Sequence, residues 1–238
     1  MIDVTSTRAD TRSRIVDVAA RLLREEGPAA VTTRGVADGA GVQAPTIYRL
    51  FGDKDGLLEA VAEYVMATFV SAKAEIVSAA SAADIDPLDD LRAGWAMQID
   101  FGVANPAIFR LLSDPGRVLH SPAAQSGKRV LESRIHRVAA TRRLRVGERR
   151  AVDLIQAAGI GTIQTLLSTT PDHRDPGLAD AMFEAVLGQI LIDAPDRAEG
   201  GSIATAVAFR AIAPGLHMLS ESERQLLAEW LDRAINAV

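Results

Sequence analysis

The residues best suited by type and spacing to bind a ligand lie between positions 32 and 54, in the run TTRGVADGAGVQAPTIYRLFGDK. Thr32 can accept a hydrogen bond from the first turn of a helix, which predicts a helix start there. Gly41 predicts a turn, because glycine tolerates both a left-handed backbone and close helix packing. The apolar residues of this first helix recur at helical spacing and are Val36, Ala37 and Ala40.

A second short helix is predicted directly after that turn. Pro45 fits a first helical position, where a missing N–H costs nothing. Ile47 and Phe51 are four residues apart and are predicted to face inward together. Two short helices around a turn are typical of a helix-turn-helix, which makes duplex DNA the expected partner. The side chains left facing outward are Gln43, Ala44, Thr46, Tyr48 and Arg49.

This run resembles the DNA-binding domain of the TetR family of bacterial transcriptional regulators. The resemblance covers roughly the first 55 residues and is specific as a set, although each piece alone is weak. The residues that carry it are Thr32-Thr33-Arg34, Val36-Ala37, Gly41-Val42, Pro45-Thr46-Ile47-Tyr48, Phe51 and Lys54.

The resemblance implies two sets of contacts with DNA. Arginine and glutamine can bind guanine and adenine through two hydrogen bonds, and a threonine methyl can touch the thymine methyl. Hydroxyls and ammonium groups hold register on the phosphates without reading sequence. The implied base readers are Arg34, Gln43, Ala44, Pro45 and Thr46, with Arg49 beside them, and the implied phosphate ligands are Thr32, Thr33, Tyr48 and Lys54.

Several features depart from the family pattern or allow another interpretation. Leu50 offers no hydrogen bond where the family often has an aromatic residue or histidine. Gln43 replaces a common serine, so it caps the helix less well but reaches further. Tyr48 could instead be a half-buried packing residue, and Lys54 could belong to an ordinary helix start between Asp53 and Asp55.

Composition predicts a globular chain that can bury a sizeable core, with 238 residues, 48% hydrophobic and 24% charged. Cysteine is absent, and no apolar run approaches the roughly 20 residues that cross a bilayer. We therefore expect a cytoplasmic protein with no membrane partner. The net charge of −5 is uneven: residues 1–54 hold eight Lys and Arg against seven Asp and Glu, and the remainder hold 18 against 24.

The fold class predicted is all-α, with a three-helix head at residues 1–53 and a larger helical ligand-binding and dimerisation domain at residues 54–238. Apolar residues beyond Lys54 recur at three and four, and proline or glycine pairs mark the breaks. A mobile loop is expected at residues 194–202. The predicted helices are 10–26, 54–82, 87–104, 106–113, 122–144, 148–169, 177–193, 203–213 and 220–237.

A helical body behind such a head is expected to dimerise, because two recognition helices must enter successive major grooves. The resemblance implies an interface made by two late helices, here residues 148–169 and 177–193. The same residues could instead pack within one subunit. Those predicted at the interface are Leu154, Ala158, Gly161, Leu166, Phe183, Leu187 and Leu191.

The body is also expected to bind a small, largely apolar effector of unknown identity. An apolar cavity with a few polar groups is typical of such a site, although core packing explains the same residues equally well. Binding is expected to shift the body toward a conformation that releases DNA. The predicted lining is Phe69, Trp95, Gln98, Phe101, Phe109, Leu112 and Ile135.

Other chemistries find little support in the sequence. The four histidines lack metal-ligand spacing, and no nucleophile elbow or phosphate loop is present, so we expect no cofactor, no metal and no enzyme. The basic residues between Arg142 and Arg150 are predicted to complement the negative carboxyl end of a helix rather than to form a second nucleic-acid site. Two function classes remain: a homodimeric, ligand-responsive repressor of a palindromic operator, or an all-α small-molecule-binding or interaction protein that binds no operator.

Overall fold

The computed structural model describes residues 4–27, 29–82, 85–192 and 202–236. All regular elements within these ranges are helices, apart from one isolated antiparallel bridge between Leu144 and Leu191. The predicted all-α fold class is therefore confirmed.

Three helices form the head that the sequence predicts. They are α1 (Val4–Glu26), α2 (Thr33–Ala40) and α3 (Ala44–Phe51). Helix α1 ends at the predicted place, followed by Gly27 with φ +82°. The apolar side of the head is buried as expected and consists of Ile15, Val16, Ala19, Ala20, Leu23, Val36, Ala37, Ala40 and Ile47.

Nine further α-helices follow among the described residues. Short 3-10 turns at Pro171–His173 and Ala213–Gly215 join some of them. In chain order the helices are α4 (Lys54–Ala82), α5 (Pro87–Ala104), α6 (Pro106–Leu112), α7 (Pro115–Val118), α8 (Pro122–Ala140), α9 (Glu148–Leu167), α10 (Leu178–Ile190), α11 (Ser202–Ile212) and α12 (Glu221–Asn236).

The predicted helix boundaries hold closely, with three errors. Helix α1 begins at Val4 rather than at residue 10. Helix α8 ends at Ala140 rather than at residue 144, because the chain turns there and Arg142 has φ +60°. Helix α7 was missed because Asp114-Pro115-Gly116 resembles a break. Pro115 instead begins a helix, and the Asp114 carboxylate accepts a hydrogen bond from the Arg117 N–H at 3.1 Å. Most of the loop expected at residues 194–202 lies outside the described residues.

The described chain divides into two compact units. Unit 1 comprises Met1–Ala72 and Ala104–Gly127, and unit 2 comprises Lys73–Val103 and Lys128–Val238. Helix α4 therefore contributes its first part to unit 1 and its last part to unit 2. The predicted boundary at residue 53 stays a prediction.

The core of unit 2 includes aromatic packing between α5 and α10. The rings of Trp95 and Phe183 lie 5.2 Å apart, and the indole N–H donates to the carbonyl of Ala179 at 3.0 Å. Arg145, one of the basic residues between Arg142 and Arg150, satisfies carbonyl groups in the last turn of α10. Its guanidinium donates to the carbonyls of Gly188 and Gln189, at 3.0 Å each. For Arg145, the expected role at a helix carboxyl end is confirmed.

The turn between α2 and α3 depends on Gly41, which has φ +64° and donates its N–H to the carbonyls of Ala37 and Asp38. An added Cβ would meet nothing within 4 Å, so crowding does not explain the glycine. The left-handed backbone conformation explains it.

Replacement of Gly41 by Ala is expected to lower the free energy of unfolding by about 1–2 kcal/mol, because a Cβ disfavours the left-handed conformation. Gly41→Asn should cost less, since asparagine adopts this conformation more readily. Chemical denaturation of the three proteins measures both changes. Equal losses for Ala and Asn would contradict the backbone explanation.

Candidate DNA-binding surface and effector site

Helix α3 buries one side and presents the other to solvent. Ile47 is fully buried, whereas 52% of Tyr48 is exposed. Burial of the inner side fixes the helix, so the outer side chains are free to meet a partner. Of the predicted contacts on the outer side, Gln43, Pro45, Tyr48 and Arg49 are exposed and Ala44 and Thr46 are partly exposed.

Two of the predicted phosphate ligands lie together. The hydroxyls of Thr33 at the start of α2 and Tyr48 on α3 are 3.4 Å apart. Thr32 has a structural role as well, because its hydroxyl accepts the N–H of Gly35 at 3.0 Å and caps α2 as expected. Arg34 follows Thr33 in α2 and is exposed, so it belongs to the same surface.

Lys54 begins α4 and is exposed. The carboxylate of the preceding Asp53 accepts the N–H of Gly56 at 2.8 Å, which caps the helix. The alternative of an ordinary helix start therefore describes the local structure correctly. It leaves the Lys54 ammonium at the surface, where a phosphate could meet it.

The departures from the family pattern have simple structural outcomes. Gln43 precedes α3 with an extended backbone, and its side chain makes no capping bond. Pro45 occupies the second helical position rather than the first, because α3 begins at Ala44. Leu50 is half-buried. Helix α1 is held to α3 by the Arg12 guanidinium, which lies 5.2 Å from the centre of the Phe51 ring.

A set of buried charges in unit 2 was missed at the level of sequence. The Asp90 carboxylate accepts a hydrogen bond from Arg134 Nε at 3.2 Å and one from Arg137 Nη1 at 2.9 Å. Asp90 and Arg134 each expose only 2% of their side chains. Arg134 Nη2 is also buried and has no hydrogen-bond partner among the described residues. No sequence signal distinguishes these residues from the usual exposed charges of a helix.

Lys73 is a second buried cation of unit 2, with 7% exposed. Its ammonium donates to Gln98 Oε1 at 3.0 Å. Burial, with a smaller contribution from repulsion by the Arg134 guanidinium, lowers the pKa of Lys73 to about 8. The predicted lining residue Gln98 is therefore brought beside a titratable group that the sequence did not reveal.

The other predicted lining residues fall into both units. In unit 2, Trp95 and Ile135 are buried and Phe101 is half-buried. The polar atom of Trp95 is already satisfied by the Ala179 carbonyl, as in a core residue. In unit 1, the residues Phe69, Phe109 and Leu112 are half-buried. The prediction that these side chains form one effector site remains a prediction.

One cavity of about 420 Å³ lies wholly within unit 1. Leu112 lines it together with Glu59 and Glu63 of α4. Glu59 pairs with Arg117 at 2.6 Å, and Glu63 accepts the N–H of Ala123 at 2.6 Å. These bonds join α4 to α7 and to the first turn of α8.

The head is similar in sequence to known DNA-binding regulators. Residues 15–61 match the model for bacterial regulatory proteins of the tetR family. The resemblance of the head to the TetR family, expected from the sequence, is confirmed. Among curated relatives, the HTH-type transcriptional regulator BetI of Burkholderia mallei is 31% identical over 126 residues, which cover 52% of this chain and 63% of that protein. The BetI protein of Burkholderia cenocepacia matches to the same extent.

Solved structures share the fold of this chain. The regulator RolR, in complex with resorcinol, is similar with a TM-score of 0.60 and 20% identity, over 83% of this chain and 96% of RolR. FadR from Bacillus subtilis, in complex with stearoyl-CoA, has a TM-score of 0.55 and 16% identity, over 74% of this chain and 97% of FadR. At these identities the likeness shows the fold alone.

The residues predicted at the dimer interface differ in exposure. Gly161 is exposed, and Leu154, Ala158 and Leu191 are partly exposed. Leu166, Phe183 and Leu187 are buried within this chain, Phe183 to 1%. These three therefore support the faces of α9 and α10 from inside, and their place in an interface remains a prediction.

The described residues hold neither a metal-binding cluster nor a helix suited to a membrane. No group of three or more histidine, aspartate or glutamate side chains there could hold a metal ion. None of the described helices is both long enough and apolar enough to cross a membrane.

Replacement of Lys73 by Met is expected to raise the free energy of unfolding near pH 7, by at most about 3 kcal/mol. The pKa of Lys73 is about 8 in the folded protein against an ordinary 10.5. Unfolding therefore takes up a proton between these values, and wild-type stability rises with pH through that window. The advantage of Lys73→Met should shrink from pH 8 to pH 10.5 in denaturation measured across pH. An advantage that does not change with pH would contradict the lowered pKa.

Proposed function

We propose that this chain is a DNA-binding transcriptional regulator of the TetR family that acts as a homodimeric repressor and releases a palindromic operator when a small molecule binds. The observation that carries the proposal is the outer face of α3. It presents hydrogen-bonding side chains beside a pair of hydroxyls, on a helix fixed from behind by Ile47. The name of the BetI relatives, which are HTH-type transcriptional regulators, supports it.

Within this proposal the exposed residues divide by chemistry. Gln43 and Arg34 read base edges, because amide and guanidinium groups can form two hydrogen bonds with one base. Thr33, Tyr48 and Lys54 bind phosphates, because their groups suit any sequence equally. Ala44, Pro45, Thr46 and Arg49 complete the surface that enters the major groove. A protein that controls bacterial genes in this way acts in the cytoplasm and needs no catalytic group.

Dimerisation is part of the proposal because two half-sites lie roughly 34–36 Å apart along the duplex. A face of small residues on α9 and α10 supports an interface there. Gly161 and Gly188 are exposed, and an added Cβ at either would meet nothing within 4 Å. The exposed neighbours at helical spacing are Ala157, Ile160 and Gln164 on α9, and Ala181 and Ala185 on α10.

Helix α4 supplies the proposed coupling between effector and DNA. Its first residue, Lys54, belongs to the DNA-binding surface, and its later residues from Lys73 onward belong to unit 2. An effector that favours one conformation of unit 2 can lower operator affinity only by its differential affinity for the two states. Both structures of similar fold were solved with a small molecule bound, which supports a ligand-binding body.

Selection from a random duplex pool should yield a palindromic site whose affinity depends strongly on salt. Lys54→Gln should weaken binding to all sequences and reduce the salt slope by about one, because it removes a charged phosphate contact. Tyr48→Phe should also weaken binding to all sequences but leave the salt slope nearly unchanged, because the hydroxyl that it removes is neutral. Gln43→Ala should relax specificity at one position by about 1–3 kcal/mol. Fluorescence anisotropy over a range of KCl concentrations measures these effects.

The matched control is Lys128→Gln, which removes an exposed lysine of unit 2 outside the proposed surface. It should leave the salt slope unchanged. Failure of the wild-type chain to bind any duplex in dilute salt would overturn the proposal and favour the alternative of a small-molecule-binding protein without an operator.

Gly161→Arg should convert the dimer to a monomer and weaken operator binding at least tenfold. Arginine has the higher helix propensity, by roughly 0.8–1 kcal/mol, so the helix itself should not suffer. Its long side chain would keep a second helix from approaching. Sedimentation velocity, with circular dichroism to follow the fold, measures the outcome.

Two controls accompany this variant. Gly161→Ala adds only a methyl group, and Ala93→Arg places the same charge at an exposed position of α5. Both should remain dimeric. A dimer that tolerates Gly161→Arg would show that this face of α9 and α10 is not the interface.

A further inference from the structure

We propose that unit 2 recognises a carboxylate-bearing effector, whose negative charge is bound between the side chains of Lys73 and Arg134 with Gln98 beside them. The inference deepens the proposed function, on which it rests for the role of the ligand. It assigns the charge of the effector, which otherwise would be expected to be a largely apolar molecule.

The first argument is the imbalance of charge around Asp90. Its one carboxylate pairs with two guanidinium groups, those of Arg134 and Arg137. Burial of a charge is costly unless the charge is paired and hydrogen-bonded. One carboxylate cannot neutralise both cations, and solvent reaches only Arg137, whose side chain is 18% exposed. Excess positive charge therefore remains beside the buried Arg134. A second carboxylate would balance it.

The second argument is a donor that the fold leaves unsatisfied. Arg134 exposes 2% of its side chain, and Nη2 has no hydrogen-bond partner among the described residues. An unsatisfied buried donor lowers stability, and one on a charged group does so more. Guanidinium groups are well matched to carboxylates, which can accept two of their N–H bonds.

The backbone of α5 makes room for this guanidinium. A Cβ at Gly94 would come within 2.3 Å of Arg134 Nη1 and 2.6 Å of Cζ. Only glycine therefore allows Arg134 to lie in its observed position against α5. The guanidinium is held in a fixed place, as a binding group must be.

The third argument is the nearness of a second cation. Lys73 is almost fully buried and donates to Gln98, which lies one turn of α5 after Gly94, the residue against which the Arg134 guanidinium packs. Repulsion from Arg134 contributes to the lowering of the pKa of Lys73. Two like charges in one poorly solvated region destabilise the ligand-free protein, and an anion between them would relieve the repulsion. The two groups thus favour the same class of ligand.

Gln98 indicates where the ligand reaches these cations. It is half-buried and accepts a hydrogen bond from Lys73 at 3.0 Å, which leaves its amide N–H groups as further donors. Phe101 follows one turn later on α5 and is also half-buried. A ligand that has a carboxylate and an apolar body matches these two side chains. Its carboxylate would bind Lys73, and its apolar body would lie along Phe101.

The test compares shape-matched probes that differ in charge, namely octanoate with octanamide and benzoate with benzamide. Titration calorimetry on the full-length chain at pH 7 measures their dissociation constants. In each pair that binds, the carboxylate should bind at least roughly tenfold more tightly than the amide, as a charge-assisted bond to a buried cation provides. Lys73→Met should abolish that preference, and Lys128→Met, which removes an exposed lysine, should retain it.

A second variant tests the site without any added ligand. Gln98→Glu places a carboxylate where Lys73 now donates, with almost no change in shape. It should raise the midpoint of thermal unfolding and abolish the preference for carboxylates. A lower midpoint for both Gln98→Glu and Lys73→Met would show that the cations are structural, and would overturn the inference.

Two results separate this inference from the proposed function. A chain that binds duplex DNA but shows no preference for carboxylates over amides in either pair overturns the inference alone. A chain that prefers carboxylates through Lys73 but ignores all duplexes overturns the proposed regulator alone and leaves the binding site standing.

Discussion

The DNA-binding surface depends on the packing of two helices that are too short to be stable alone. Helices α2 and α3 have eight residues each, fewer than the roughly 12–15 that an isolated helix needs in water. Their structure therefore comes from the packing of α2 against α1 and of α3 against α2, through residues such as Ile15, Val36 and Ile47. Every polar side chain on the outer face of α3 is positioned by apolar contacts on the opposite side. The chemistry of the surface is thus separate from the stability of the head.

This separation explains why the head could be predicted from sequence. Its determinants are local: a capping threonine, a glycine with a left-handed backbone and apolar residues at helical spacing. Most helix boundaries of the body follow from local signals for the same reason. Helix α7 was missed because an Asp-Pro pair such as Asp114-Pro115 can begin a helix or mark a turn, and the residues alone do not decide between them.

The charges inside unit 2 could not be predicted, because they depend on contacts between residues distant in sequence. Lys73, Asp90 and Arg134 each lie on a separate helix, and lysine or arginine on a helix is usually exposed. The aromatic residues taken as a pocket illustrate the same limit. Trp95 packs against Phe183 of α10, and only the fold reveals that its indole N–H already has a partner.

The two tryptophans lie in contrasting surroundings. Trp95 is enclosed between α5 and α10 near the charged residues of unit 2, whereas Trp230 on α12 is 54% exposed. Their fluorescence should therefore differ in colour, with the enclosed indole emitting at shorter wavelength. Removing the exposed one, as Trp230→Phe, leaves a single intrinsic reporter one turn from Gln98. The protein thus carries its own optical probe of events in the interior of unit 2, with no need for an attached dye.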